Sequence, residues 1–570
     1  MSSCVPNASF PSLTDRHRAD PVKSGGVHYT PPLLAAFVAE QAAAALGSCS
    51  RIRVLDPACG DGALLAATAA ALSATSKVDM YGFDIDATAL HVAQARLTDL
   101  PTNCKAFLDK VDFIEAVLDE KESRDSLFEN PDVIQFAGQF DLVIANPPYV
   151  RTQVLGADMS RRLAADFDLT GRVDLYQAFT VAMAVALRSG GVLALLCSNR
   201  FLTTKTGIAL RSMLAKRFQI VGIYDLGDTK MFEAAVLPAV VIARRSDGGG
   251  CRFPMIAAYE DRSDSAPEKE ATSVFEALAA WNDGVVAIGG STYQLRSGEV
   301  DATDPRAPWI PRNSCDDWVT KVEAAAVMRF GDVGKFRVGV KTTADNVFIR
   351  DDWSRQKVVP ESELLLPLFT HHVAQRWSGG TPQKQILYPY DRSELRRSPV
   401  DLAKWPATLA YLEGYREQLE GRKYVIEGGR RWWEIWVPQQ PARWTAPKIL
   451  CPDISEEPKF FYDTSGAVVN GDCYWLVVDD ENLAFLMMAV ANSSLGRDYY
   501  DAVCGNKLYA GRRRYITQYV ERFPIPDPNQ KVAKEIVKTV RELIIDPVSP
   551  QSHALEMLLD RLVRSSFGLE

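Results

Sequence analysis

An asparagine, two prolines and a tyrosine follow one another at Asn146-Pro147-Pro148-Tyr149, directly after the apolar run Phe140-Asp141-Leu142-Val143-Ile144-Ala145. The run reads as a buried strand, so its end delivers an amide, two prolines and an aromatic ring to one spot. Those groups suit a planar substrate that carries an amine. The prolines lack N–H groups and fix φ, which makes the turn stiff and leaves its carbonyls as acceptors. The asparagine brings a side-chain oxygen acceptor and the tyrosine a flat stacking surface. Taken alone, the tetrapeptide is also compatible with an ordinary strand-ending turn.

A second constellation lies upstream, at Val54-Leu55-Asp56-Pro57-Ala58-Cys59-Gly60-Asp61-Gly62-Ala63-Leu64-Leu65. It reads as strand, glycine-rich turn and helix, the first unit of a doubly wound sheet. It is neither GxGxxG nor a phosphate loop, because no Gly-Lys-Ser/Thr follows. A carboxylate at the strand end would repel a phosphate. It suits a cationic or hydroxyl-bearing ligand, such as the amino-acid end of S-adenosylmethionine. The next strand, Met80-Tyr81-Gly82-Phe83, ends in Asp84-Ile85-Asp86, where doubly wound folds hold a ribose diol. Each acid could instead cap a helix. Asp56, Asp84 and Asn146 nonetheless fall at successive strand ends, in the order that a ligand crevice requires. Cys59 has no histidine near it in sequence and reads as a small packing residue rather than a nucleophile.

Together with Tyr29-Thr30-Pro31-Pro32 and Asp112-Phe113, these motifs resemble the gamma-class, Taq-type N6-adenine-specific DNA methyltransferases of restriction-modification systems. The resemblance extends through Asp174-Leu175-Tyr176-Gln177-Ala178-Phe179, Leu187-Arg188-Ser189-Gly190-Gly191-Val192-Leu193, Ser198-Asn199-Arg200-Phe201-Leu202 and Met231-Phe232-Glu233 to the strand Ala239-Val240-Val241-Ile242-Ala243. It implies an α/β architecture: a Rossmann-like class I S-adenosylmethionine-dependent methyltransferase domain, followed by a C-terminal mixed α/β target-recognition domain. It also implies S-adenosylmethionine as cofactor. Thr30 would lie near the methionine carboxylate and Asp56 near its ammonium, with Ala58, Cys59 and Gly60 in the turn. Asp84 would hold the ribose, Ile85 would pack on the adenine, and Asp112 and Phe113 would read its amine and ring. Asn146 and Pro148 complete that set. Asn146 and Pro147 would bind the target amine, and Tyr149 and Phe232 would stack on a flipped base. The tetrapeptide is shared with RNA and protein-glutamine methyltransferases, which stand as the alternative reading.

At 570 residues the chain exceeds what one hydrophobic core normally serves, so two or more domains are expected. No run approaches eighteen apolar residues, and the polar N-terminus does not resemble a signal peptide. Ten scattered cysteines show no metal-ligand spacing, so reduced thiols, a cytoplasmic location and no metal are expected. The pair His371-His372 reads equally as part of a nucleic-acid-facing loop or as a plain surface pair. Pro452-Asp453 and Glu457-Pro458-Lys459 superficially resemble a nuclease motif but stand too close in sequence to occupy two strands. Any restriction endonuclease or other defence protein would then be separately encoded.

A net charge of −8 is awkward for a partner such as double-stranded DNA, whose affinity comes largely from Lys and Arg. Positive charge is, however, gathered locally. Arg422, Lys423, Arg430, Arg431, Arg443 and Lys448 lie among Tyr424, Trp432, Trp433, Trp436 and Trp444. Arg512, Arg513 and Arg514 lie beside Tyr509, Tyr515 and Tyr519. Basic clusters with flat side chains suit a phosphate-tracking surface, and Arg422, Lys423, Arg430, Arg431, Arg512, Arg513 and Arg514 are the candidate contacts. The bland alternative is a solvated face beside a tryptophan-rich core. All eleven tryptophans lie at Trp281 or later. That shift, with the turn-rich 246–250 and the polar 260–270, predicts a flexible N-terminus at 1–22 and a catalytic domain at 23–245. A linker at 246–270 and a DNA target-recognition domain at 271–570 with a helical tail would follow. Hairpin-like pairs are expected over 335–350 and 449–476, and helices over 480–493 and 531–545.

Overall fold

The computed structural model describes the chain except for residues 1–28, 48, 73–76, 126–134, 149–156, 168, 170–173, 230–236, 247, 262–265, 282, 314–315, 505–511 and 570. The expected N-terminal flexible segment therefore lies outside the described residues. Two compact units divide the chain at Asn313 and Ser314. Among the described residues no helix is long and apolar enough to cross a membrane.

The first unit is built on β1 (Arg51–Asp56), β2 (Lys77–Asp84), β3 (Cys104–Lys110), β4 (Phe140–Ala145), β5 (Leu187–Ser198), β6 (Phe218–Asp225) and β7 (Pro238–Arg245). Their order in the sheet is β3-β2-β1-β4-β5-β7-β6, parallel except for β7, which runs antiparallel to both of its neighbours. This is the expected class I methyltransferase sheet. The central strands are apolar on both faces because both faces are covered. Val54, Leu142 and Ile144 join one core cluster with Leu34, Phe37 and Val38 of helix α1 (Pro32–Leu46). Leu55, Val143 and Ala145 point the other way, into a cluster with Phe113, Phe179 and Leu193. Pro32 opens α1, where its missing N–H costs nothing. Helix α2 (Ala63–Ala71) begins after Gly62, whose φ of +77° favours glycine.

The predicted linker over 246–270 is corrected by the structure. Strand β8 (Arg252–Glu260) pairs with β6 in parallel and buries Phe253, Met255, Ile256, Ala257 and Ala258. Beyond it come β9 (Lys269–Glu270), β10 (Gly284–Ile288) and β11 (Ser291–Asp301), and the sheet reaches eleven strands. Of the predicted linker, the described residues that lie outside strands are 246, 248–251, 261 and 266–268. Trp281 and Trp309 belong to this first unit, so the change in tryptophan content does not mark the boundary.

The second unit carries two four-stranded sheets and a group of helices. Lys448–Pro452 pairs antiparallel with Phe461–Asp463 and with Cys473–Val477, close to the expected pairing over 449–476. The pairing expected over 335–350 does not form. Arg337–Val338 joins Cys473–Val477, whereas Ile349–Arg350 joins Lys384–Leu387 in the other sheet. Helix Glu481–Asn492 is capped by Asp480, which accepts from the Asn482 and Leu483 amides. Helix Lys531–Ile545 buries Ala533, Ile536, Val540 and Leu543 along one face.

Candidate active site

β1, β2 and β4 are neighbours, with Asp56 opposite Gly82 and Leu55 opposite Val143, so Asp56, Asp84 and Asn146 all emerge at the carboxyl edge of the sheet. Connections leave for opposite directions at β1 and β4, and an open α/β sheet has its ligand crevice at that point. Asp56 is 1% exposed, and its Oδ1 accepts the Ala58 amide at 3.2 Å. No cation pairs with it among the described residues. Burial raises its pKa to about 8; the Ala58 N–H opposes the rise, and the fields of Asp84 and Asp61 add to it. A buried acid without a counter-ion fits a ligand that brings its own ammonium group.

Asp84 accepts the Gly60 and Asp86 amides, each at 2.9 Å, which ties the second strand end to the glycine turn. Burial raises its pKa as well. The Cys59 amide donates to the Phe83 carbonyl at 2.8 Å, and burial with the nearby acids pushes its thiol up, so Cys59 is a packing residue. Gly60 adopts φ +52°, and a Cβ there would stand 3.5 Å from the Tyr29 ring. Tyr29 itself is half-exposed beside Gly60, and partial burial with the fields of Asp61, Asp86 and Asp84 pushes its hydroxyl up. Ile85 is exposed beside that mouth. Asp112 caps helix α3 (Phe113–Asp125) through the Ile114 amide at 3.2 Å, and burial raises its pKa. The Phe113 ring packs against Phe136 and Phe179 in the core.

Asn146 stands where β4 ends, and its Nδ2 donates to Thr30 Oγ1 at 3.1 Å. Thr30 is buried at the start of α1, so the amide is anchored to a fixed element. Pro147 is buried and Pro148 half-buried. Tyr149 and Phe232 lie outside the described residues. Sequence reasoning missed a buried network further along the same edge. Asp225, ending β6, accepts from Asn199 Nδ2 at 2.9 Å, from Tyr259 Oη at 2.8 Å and from the Gly227 amide at 3.0 Å. Among the described residues no group of three or more His, Cys, Asp and Glu could hold a metal ion.

The Eco57I restriction-modification methylase family matches residues 79–232, and the TaqI-like C-terminal specificity domain matches residues 403–525. A type II methyltransferase of Aneurinibacillus aneurinilyticus, M.BanIII, is 37% identical over 96% of this chain and 98% of its own length. The chain belongs to the type II methyltransferases of restriction-modification systems. M.PaeR7I of Pseudomonas aeruginosa is 28% identical over 68% of this methyltransferase and 65% of its own length. The type IIL restriction-modification enzyme MmeI, solved in complex with DNA, shares the fold at a TM-score of 0.59 and 13% identity. That likeness spans 91% of this chain and 70% of MmeI.

In the second unit of this methyltransferase the structure divides the basic residues singled out in sequence. Arg422 is 6% exposed and donates to the Thr342, Trp432 and Leu419 carbonyls, so it is an internal tie and not a phosphate contact. Arg430 donates to the Ile435 and Trp436 carbonyls and lies over the Trp436 ring. Arg513 forks onto Asp501 with two 2.7 Å bonds, and Arg514 reaches Asp453 at 3.2 Å. That pairing gives Asp453 a structural role. Lys448 is fully buried, 2.6 Å from Asp463. Lys423, Arg431 and Arg512 remain exposed. Distant partners therefore consume much of the charge in both windows.

Proposed function

We propose that this methyltransferase transfers a methyl group from S-adenosylmethionine to the exocyclic N6 amine of an adenine in duplex DNA. The reading rests above all on Asn146, held by the Thr30 hydroxyl at the end of β4, one strand away from the buried Asp56. The bound cofactor supplies an electrophilic methyl group. Asp56 gives its carboxylate to the ligand ammonium, Asp84 to the ribose hydroxyls, and Thr30, Ile85 and Asp112 line the remainder, with the Phe113 ring in the core behind them.

The adenine amine is a weak nucleophile because its lone pair is delocalised into the ring. Asn146 Oδ1 and the Pro147 carbonyl accept its two N–H bonds and draw the nitrogen towards tetrahedral geometry. The lone pair then faces the methyl group, and the surplus proton leaves after transfer, so no strong base is required. Positioning and hydrogen bonding supply most of the rate. The base has to leave the stack, at a cost of about a few kcal/mol. Stacking on Tyr149 and Phe232, worth about 1–3 kcal/mol per base, offsets much of it. A separately encoded restriction endonuclease is the natural cellular counterpart.

Long-read sequencing of DNA from cells expressing this chain should show N6-methyladenine confined to one short motif. Purified Asn146→Ala should lose transfer while its cofactor affinity stays within a few-fold of wild type. Near wild-type turnover by that variant, or label appearing in RNA or protein but not in DNA, would overturn the reading.

A further inference from the structure

We infer that Arg337, Arg397 and Arg443, with Arg392 and Arg396 beside them, form the phosphate-gripping site of the second unit. The inference rests on duplex DNA being the substrate. Three segments distant in sequence converge to build it. Arg337 opens the short strand Arg337–Val338, whose Val338 carbonyl accepts Gln439 Nε2 at 2.7 Å. Gln439 leads directly into the turn of helix Pro441–Thr445, which carries Arg443. The amide of Ala442 in that turn donates to the Glu394 carbonyl at 3.2 Å, which docks the loop bearing Arg392, Arg396 and Arg397.

The charges in this cluster are not neutralised from within. None of the five arginines makes an ion pair with a described residue, in contrast to Arg513 and Arg514. The acids of the docked loop are turned to local duty. Asp391 accepts from the Ser393 amide and hydroxyl, Glu394 from Ser398 Oγ at 2.7 Å, and Asp401 from the Ala403 amide. Burial, followed by the positive fields of Arg443 and Arg397, depresses the pKa of Arg337, so the guanidinium groups feel one another. Arg443 Nε, a donor, is buried with no hydrogen-bond partner among the described residues. Buried polar groups are ordinarily satisfied, and like charges gathered without counter-ions repel. A polyanion crossing the cluster relieves both conditions at once. Guanidinium forks match phosphate oxygens two at a time, which is why arginine serves such contacts better than lysine.

The test is the salt dependence of duplex DNA affinity for the full chain, measured by fluorescence anisotropy. Each phosphate contact contributes about 0.9 to the slope of log K against log salt. Arg392→Ser/Arg396→Ser/Arg397→Ser alters an exposed loop and should reduce the slope by about 3. Arg337→Gln/Arg443→Gln should reduce it by about 2, with a thermal melt confirming that the variant folds. Arg541→Ser, which removes an arginine paired with Glu481, serves as the control and should leave the slope unchanged. If wild type binds duplex DNA and both cluster variants keep its slope, the inference fails while the DNA reading stands. If wild type binds no duplex, both fall. A slope change seen with single-stranded RNA but not with duplex DNA would overturn the assignment in favour of another polyanion.

Discussion

Replacing Asp56 by asparagine should stabilise the ligand-free protein while removing its cofactor affinity. The carboxyl group is 1% exposed and titrates near 8, against an ordinary value of 3.8. Above pH 3.8 the unfolded chain ionises this group while the folded chain keeps it protonated, so the folded state holds the extra proton. Stability therefore falls as pH rises from about 4 to about 8 and levels off above that. At 1.36 kcal/mol per pH unit, the contribution lost is about 2 kcal/mol by pH 5.5 and about 5 kcal/mol by pH 8. Asparagine keeps the shape and escapes this penalty. Thermal unfolding of the catalytic unit should place Asp56→Asn above wild type, with a gap larger by about 3 kcal/mol at pH 8 than at pH 5.5. Cofactor titration of the same variant should show binding weakened by about 100-fold or more, as expected when an ammonium loses a buried partner. Binding to wild type should release about one proton at pH 7, readable as buffer-dependent heat. A gap that does not change with pH, or a destabilised variant, would refute the argument that Asp56 is a buried acid awaiting a cation.

Three further outcomes follow from the same geometry. Thr30→Val removes the acceptor of Asn146 Nδ2 and should slow single-turnover transfer by about 10- to 100-fold, with Thr30→Ser restoring it, since an unmet buried bond costs about 1–3 kcal/mol. Arg422→Ala should destabilise the second unit by about 2–4 kcal/mol in urea melts while leaving the salt slope of DNA binding untouched, because its guanidinium serves backbone carbonyls. Tyr259→Phe withdraws a donor from Asp225, whose pKa burial already raises; it should cost more stability on the alkaline side of that group's titration, where the carboxylate is charged, than on the acid side. A loss that stays constant across a pH series would mean that the hydroxyl does not serve the charged form.

The catalytic half was legible because its signals are local. The strand ending at Asp56, the strand ending at Asp84 and the strand delivering Asn146 each announce themselves by an apolar run and a polar terminus, and chain order then sets their neighbours. Helix Lys531–Ile545 was readable for a similar reason, since its buried face repeats at helical spacing. The continuation of the sheet through β8 to β11 was missed because the apolar run in β8 is short and stands between a glycine-rich and a polar segment, and the edges that it pairs with, β6 and β11, are distant in sequence. Thr30 was placed by resemblance, but the bond that joins it to Asn146 spans 116 residues and appears only in the fold.

Residue type and order determined that this chain carries a doubly wound methyltransferase sheet, with two acids and an amide at its carboxyl edge. Side-chain alternation and strand-end chemistry act over a few residues, so the sequence expresses them directly. Tertiary structure alone decided which charges are available. Arg422, Arg513, Arg514 and Lys448 look like ligands for phosphate in sequence, yet carbonyls and carboxylates brought from elsewhere in the chain absorb them. Arg443 stood in one of those basic windows, but Arg337 and Arg397 gave no such signal, and the three are assembled without counter-ions among the described residues. Electrostatic pairing depends on distance in space, and only folding sets that distance.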